Sequence, residues 1–488
     1  MLVAFLLLTA FFLRIFRIST LLDFHFDQGR DALVIWDLWH KGKLFLIGPV
    51  TGLDGVFLGP LYYYLIAPFY LIGKGNPVFP SVFLSFLVTL GLFFLYQTGK
   101  LLGDKKLGLT VLVIGTFSNY FIFSGRWLSN PTPIYLTSIL VFYLMLKICL
   151  SAKLHWYFWP LLYFLAGISF HFEAASAVFY LPILIVFTFW QSRKINLKTL
   201  LFSVGLLFFT FLPQFIFNFK HGNLILNNLF RELPKTEPST ASLWRIAIDR
   251  EKALWEVFAN KIFPQKGVWA LLFGVTAAWG LVKLKKQAKF QTIFKLFLIF
   301  LGIPFVGYLL YRGNYGILYD YYLTGYYLIL ILPFALGLWA LGRVRLGFLI
   351  LPVFIILFMI RNLELTGRKL ATDPTLGRDI FISNQEAALD WIFKDAKGSE
   401  FNVDVYVPPV LPYSYDYLFK WYPTTAAFRD REIKQIEVLV PLLYTLYEID
   451  QPHPERLDAW LRRQKSIAKV EKEAQFGGIT VQRRFRLK

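Results

Sequence analysis

The sequence predicts a mainly α-helical, polytopic membrane bundle that carries a small α/β domain at its C-terminal end. Three observations predict it. The 488 residues are 56% hydrophobic and 19% aromatic but only 17% charged, a balance foreign to soluble domains. Apolar runs of about 17–25 residues recur along the chain, the length a helix needs to cross a bilayer. Finally, the formal charge of +20 is segregated. Residues 1–361 hold 32 Lys and Arg against 13 Asp and Glu, whereas residues 362–488 hold 19 against 18. The excess of +19 therefore belongs to the membrane part and +1 to the tail, the pattern of the positive-inside rule rather than of a nucleic-acid binder.

Eleven spans are expected near 1–17, 78–101, 107–124, 132–150, 156–171, 174–190, 199–219, 267–283, 291–311, 323–341 and 346–361. The first, Met1 to Phe16, lacks a basic leader and a small-residue cleavage site, so it reads as a retained span. Short basic loops follow spans two, four, six, eight and ten: GDKK, SAK, QSRKINLK, KLKKQAK and GRVR. All five belong on the cytoplasmic side if the N-terminus does. Of the acids in residues 1–361, only Asp104 then lies inside. The others gather at outer span ends or in the long outer loop 220–266. An odd span count also places the C-terminus outside. The single cysteine, Cys149, excludes an intramolecular disulfide and any multi-cysteine metal site.

The first outer loop reads FHFDQGRDALVIWDLWHKGK. Spacings of three and four put Asp27, Arg30 and Asp31 on one helical face, with Leu33, Val34, Ile35 and Leu38 on the other. Such a helix lies along the membrane surface. An exposed ion pair in it is worth only tenths of a kcal/mol. Beside a bilayer, however, desolvation favours a functional role, and a carboxylate there can act as general base toward a hydroxyl.

Further candidates stand at other outer span ends. GRWLSNPTP supplies Arg126, a permanently charged fork suited to phosphate, and Asn130, which also suits a helix cap. SFHFEAASA sets His171 and Glu173 at a tight turn, two ligands for a divalent ion but not a complete set. RGNYGILYDYYLTGYY supplies Arg312, Asp320, Tyr321 and Tyr322. These tyrosines also fit an ordinary interfacial aromatic belt. From about residue 373 the texture changes. Helices are expected over 383–398 and 452–469, and strands over 402–408 and 477–487. This makes a soluble domain of residues 373–488 beside the membrane domain 1–361, with no motif tied to chemistry.

The order of a short first span, FDQGRDA and then GVFLGPLYYYLIAPFYLIG resembles the GT-C class of membrane glycosyltransferases. Within it, the resemblance is to the protein O-mannosyltransferase and lipid A aminoarabinose transferase group. The resemblance implies transfer of a sugar from a polyprenyl-phosphate donor to an acceptor hydroxyl on the outer membrane face. Asp27 then stands for the first-loop Asp that holds the acceptor or acts as base, Arg30 for the Arg that follows it, and Gly59-Pro60-Leu61-Tyr62 for the Pro-Leu-Tyr stretch. Arg126 and Asn130 sit where the later Arg…Asp element belongs. Three positions depart: Gln28 replaces a Glu, Leu58 a common Lys, and Asn130 an Asp. On this reading Asp27 is the catalytic base, and Arg30, Arg126 and Arg312 bind the donor phosphate. Asp31, Asn130, Asp320 and Tyr321 contact substrate. The acceptor is a glycan, lipid or protein, and a divalent metal at His171 and Glu173 is the one cofactor to consider. The alternative is a transporter or flippase of lipid-linked glycans. It fits less well, because few ionisable residues fall at span centres and the two halves show no repeat.

Overall fold

The structure, a computed structural model, describes residues 1–232, 242–311, 317–342, 347–408, 411–428 and 432–487. Each expected span is met by helix, but the spans are less uniform than their hydropathy. Among the described residues, five helices are long and apolar enough to cross a membrane: Val78–Leu102, Gly267–Leu284, Ala288–Leu310, Asp320–Leu341 and Gly347–Leu370. A sixth arises if Leu197–Thr210 and Leu212–Lys220, bent by 51°, form one span. The expected count of eleven therefore exceeds the helices that qualify by length. Ser118 shows one reason. It ends Lys105–Phe117, and its hydroxyl caps the next helix, Asn119–Ser124, so one apolar run becomes two pieces. Glu173 caps the short helix Ala174–Ala177 in the same way, ahead of Tyr180–Trp190. Helices Leu2–Ile15, Ile134–Leu150 and Phe158–Ser169 are apolar but shorter than 18 residues.

Helix Tyr327–Leu341 is apolar on every side because it runs through the centre of the bundle, buried along nearly its whole length. It crosses Gly267–Leu284 backbone to backbone. A Cβ on Gly280 would stand 1.9 Å from the Gly337 carbonyl oxygen, the small-residue contact that lets helices approach closely where lipid gives no hydrophobic drive.

The C-terminal part folds as expected in kind, around a four-stranded sheet. Strands β1 (Asn402–Tyr406), β2 (Leu442–Glu448), β3 (Ala468–Phe476) and β4 (Ile479–Arg486) lie in the order β1-β2-β4-β3. β1 runs parallel to β2, and the other pairs are antiparallel. The expected helices appear as Ile382–Ala396 and Pro454–Ile467. Strands β2 and β3 and helix Tyr413–Trp421 were not among the expectations.

This domain does not hang free of the bundle. The Ile382 amide donates to the Leu22 carbonyl at 2.9 Å, Ser383 Oγ to that of Thr20 at 2.8 Å, and Gln385 Nε2 to that of Phe24 at 2.9 Å. Across the same surface, Trp421 Nε1 donates to the Lys74 carbonyl at 2.9 Å, and the Tyr417 hydroxyl to that of Gly75. The first loop and the C-terminal domain thus share one end of the bundle.

Candidate active site

Helix Phe26–Lys41 begins where His25 is extended and ends at Gly42, whose φ of +65° is a left-handed stop. Gln28 closes its first turn. Its Oε1 accepts the His25 backbone N–H at 3.0 Å, the reach-back half of a capping box. The residue that departs from the GT-C pattern is thus a buried helix-starting group. Trp39 Nε1 donates to the Ala67 carbonyl at 3.1 Å and ties the surface helix to Leu61–Ile72.

Asp27, Arg30 and Asp31 do share a face, and burial separates their roles. Arg30 Nη1 meets Asp27 Oδ1 at 2.8 Å, while its Nε and Nη2 donate to Asp31 Oδ1 at 3.0 and 2.9 Å. The Tyr63 hydroxyl donates to the same Asp31 oxygen at 3.1 Å. Side-chain exposure is 52% at Asp27 and 4% at Asp31. Only Asp27 is therefore open to a substrate. Burial pushes the Asp31 carboxyl up to about 6 against the pull of Arg30. Burial works against the Arg30 charge, but Asp31 and Asp27 more than offset it and leave the guanidinium more basic than usual. Arg30 is in this way engaged by two carboxylates and acts first as their clamp. Tyr63 was missed as a site residue. Its position directly after the quoted Gly59-Pro60-Leu61-Tyr62 stretch was the available signal.

His171 holds that stretch in place. Its Nδ1 accepts the Leu61 amide N–H at 3.3 Å, and its Nε2 donates to the Thr210 carbonyl at 2.8 Å. A Cβ on Gly59 would lie 2.0 Å from the ring, so glycine is needed for the approach. Asn130 does not cap a helix, and it is half-buried. Its Nδ2 donates to the Phe172 carbonyl at 2.6 Å and fixes the same turn. The Glu173 oxygens accept from the Ala175 and Ser176 amides at 2.7 and 2.8 Å and from the Ser176 hydroxyl. Burial raises this carboxyl to about 7.

The expected His171–Glu173 metal pair therefore finds its donor atoms engaged in the protein. Among the described residues no three His, Cys, Asp or Glu side chains gather as a ligand set. As arranged, these residues do not fit a metal ion, and no chemistry is routed through one here. Leu58, at the position of the common Lys, is a core side chain.

Tyr321 packs within its own segment, its ring stacked on Tyr319 at 5.5 Å and edge-on to Tyr322 at 4.8 Å between centroids. An apolar groove of about 480 Å³ is lined by Phe297, Leu301, Phe305, Tyr308, Tyr326 and Pro333 among others. A wide π-helical turn, Leu298–Gly302, forms part of its wall. The groove is bolted to the Glu173 turn. The Tyr308 hydroxyl donates to the Ala175 and Tyr322 carbonyls at 3.1 and 2.7 Å, and the Tyr326 hydroxyl to that of Ser176 at 2.6 Å.

Asp320 points elsewhere. It accepts from the Tyr120 hydroxyl at 3.4 Å. There the buried Lys261 ammonium lies 3.9 and 3.5 Å from the Tyr120 and Tyr327 ring centroids, a cation–π cage. Arg126 bonds to the Phe16 carbonyl at 3.2 Å and borders a different pocket from the groove. Arg312 lies outside the described residues.

A sequence family described as dolichyl-phosphate-mannose-protein mannosyltransferase matches residues 58–217. No curated protein matches the chain by sequence. The solved structure of ArnT from Cupriavidus metallidurans bound to undecaprenyl phosphate matches it at 10% identity and a TM-score of 0.63, over 99% of this chain and 97% of that one. Its apo state matches at 0.65 over the same shares. The chain has the fold of a GT-C glycosyltransferase. The oligosaccharyltransferase of Archaeoglobus fulgidus, solved with Zn and sulfate, is a more distant match to this GT-C fold. It has 11% identity and a TM-score of 0.53 over 96% of this chain and 71% of that one. The coverage in ArnT includes the C-terminal domain, so the domain whose helix Tyr413–Trp421 packs on Phe26–Lys41 belongs to the shared fold.

Proposed function

We propose that this chain is a membrane glycosyltransferase that moves a sugar from a polyprenyl-phosphate carrier to an acceptor hydroxyl on the outer face of the membrane. One observation carries the reading. A chain of contacts links the cluster whose open carboxylate is Asp27 to an apolar groove: Tyr63 bonds to Asp31, Leu61 beside it to His171, and the Glu173 turn that follows to Tyr308 and Tyr326 in the groove wall. A groove of that size and lining suits an isoprenoid chain, and its head is where the phosphate and sugar of such a donor come to lie.

In this reading the Asp27 carboxylate takes the proton of the acceptor hydroxyl as its oxygen attacks the anomeric carbon. A new glycosidic C–O bond forms while the bond from that carbon to the phosphate oxygen breaks. The polyprenyl phosphate leaves with the electron pair. Arg30 holds Asp27 and Asp31 in register and supplies positive charge beside the leaving group, an effect that grows as charge develops in the transition state. Arg312, which lies outside the described residues, is the second cation proposed for the phosphate. Tyr321 is proposed to contact the sugar or acceptor.

The test is direct. The purified chain is reconstituted with polyprenyl-phosphate sugars, with water or simple alcohols as acceptors. Asp27-dependent release of free polyprenyl phosphate is the expected result. Carrier movement across vesicles without any bond cleavage would favour a flippase instead.

A further inference from the structure

Arg126 raises a question that the transfer reaction does not answer. It is 4% exposed, and only one of its nitrogens, Nη1, has a partner, the Phe16 carbonyl. Nε and Nη2 are buried with none. A buried charged donor left without a bond is costly, so the fold keeps this guanidinium in place at a loss. Arg126 borders a small pocket of about 20 Å³, with Asp23, Phe123, Trp127, Lys369 and Phe381 around it. Asp23 contributes an attractive field but no ion pair. Lys369, in the last turn of Ile350–Leu370, holds its ammonium 4.1 Å from the centroid of the Phe123 ring.

None of these residues lines the apolar groove. Among the described residues, Arg126 also makes no bond to Asp27, Arg30 or Asp31. Two cations and one carboxylate leave the pocket with a net charge of +1. The space holds about one water-sized group, enough for a single anionic oxygen of a headgroup that otherwise stays outside, and too little for a sugar or nucleotide. Its walls are aromatic and apolar, and it sits where Leu2–Ile15 and Ile350–Leu370 leave their apolar stretches.

We propose that the Arg126–Lys369 pocket is a second anion site, which takes the phosphodiester of an anionic lipid headgroup at the membrane surface. The guanidinium fork supplies the two directed N–H bonds and Lys369 the outer charge. A phosphate monoester in solution has the same chemistry and is the competing source. The site stands apart from the donor, and its test needs no sugar substrate.

Full-length protein is taken from vesicles of phosphatidylcholine with one fifth phosphatidylglycerol, and bound lipids are counted by native mass spectrometry. Inorganic phosphate is titrated separately while the melting temperature is followed. The wild type is expected to retain one phosphatidylglycerol. Lys369→Gln, at an exposed position that leaves folding intact, should weaken retention about 10-fold, and Arg126→Leu should abolish it. If Arg126→Leu fails to fold, the Lys369→Gln result decides alone. Phosphate protection of the wild type that Lys369→Gln removes, without lipid retention, overturns the lipid assignment in favour of a soluble phosphate. Retention in Lys369→Gln equal to the wild type overturns the site.

Discussion

The Tyr63 hydroxyl donates to Asp31 Oδ1 at 3.1 Å, joining two stretches 32 residues apart. Asp31 already accepts two N–H groups from Arg30, so one buried oxygen collects three donors and fixes the orientation of the guanidinium. Through Arg30 that order reaches Asp27, 2.8 Å away. The quoted Pro-Leu-Tyr stretch thus acts on the surface helix through the tyrosine that follows it, and the buried acid is a positioning group for the open one.

Asp27→Asn keeps the size of the side chain but removes the base. Transfer should fall by about 10²–10⁴-fold, while donor binding and melting temperature stay near wild type. A single-turnover assay with purified protein measures this. Full activity would move the base to Glu173 or to a group outside the cluster.

Tyr63→Phe should be milder and more informative. A hydrogen bond to a charged group is worth about 1.5–3 kcal/mol, and its loss lets Asp31 hold a proton more tightly, since the Tyr63 bond lowers that pKa. Transfer should drop about 3- to 30-fold at neutral pH, and the acid limb of the rate profile should move to higher pH. An unchanged limb would mean that Asp31 does not gate the clamp.

The pH dependence of the wild type follows from Asp31, raised by burial to about 6. As pH falls through 6 the carboxyl takes up a proton, Arg30 loses an ionic partner, and transfer should decline. Stability moves the other way. A carboxyl whose folded pKa lies above its unfolded value near 4 contributes stability that is full below that unfolded value and is lost as pH rises through about 6. Asp31→Asn should therefore melt no lower than wild type at pH 7, yet transfer sugar more slowly. Paired melting and rate measurements between pH 5 and 7.5 separate the two effects.

Gly29 tests the docking of the C-terminal domain. A Cβ there would stand 2.2 Å from the Ser414 amide nitrogen, and backbone cannot yield as a side-chain tip can. Gly29→Val should push helix Tyr413–Trp421 off the surface helix. The expected signs are faster amide hydrogen exchange over 413–421 and an activity loss of at least about 10-fold, with the spans unaffected. Wild-type exchange in the variant would show that the tail does not brace the site.

Much of this was legible before folding because it depends on composition and short-range spacing. Hydropathy located the apolar segments, the i, i+3 and i, i+4 spacings put Asp27, Arg30 and Asp31 on one face, and the GPLY stretch marked the partner segment. Hydropathy does not see backbone breaks, however. A run stays apolar whether or not Ser118 caps a new helix inside it, or a helix within it stops short as Phe158–Ser169 does, so eleven expected spans include, among the described residues, five helices of spanning length.

The division of labour among the charges was decided by tertiary structure alone. Asp27 and Asp31 are the same residue type on the same helix face, and only packing beneath Tyr63 makes one a buried anchor and leaves the other open. His171, read from its spacing as a ligand, has both ring nitrogens occupied by contacts to residues 61 and 210. Gly29, an unremarked letter in FDQGRDA, is the point where a domain nearly four hundred residues later comes to rest. Local spacing can state which side chains share a face. Burial and partner choice are set by segments distant in sequence, and for these residues they determine which group meets the substrate and which holds it in place.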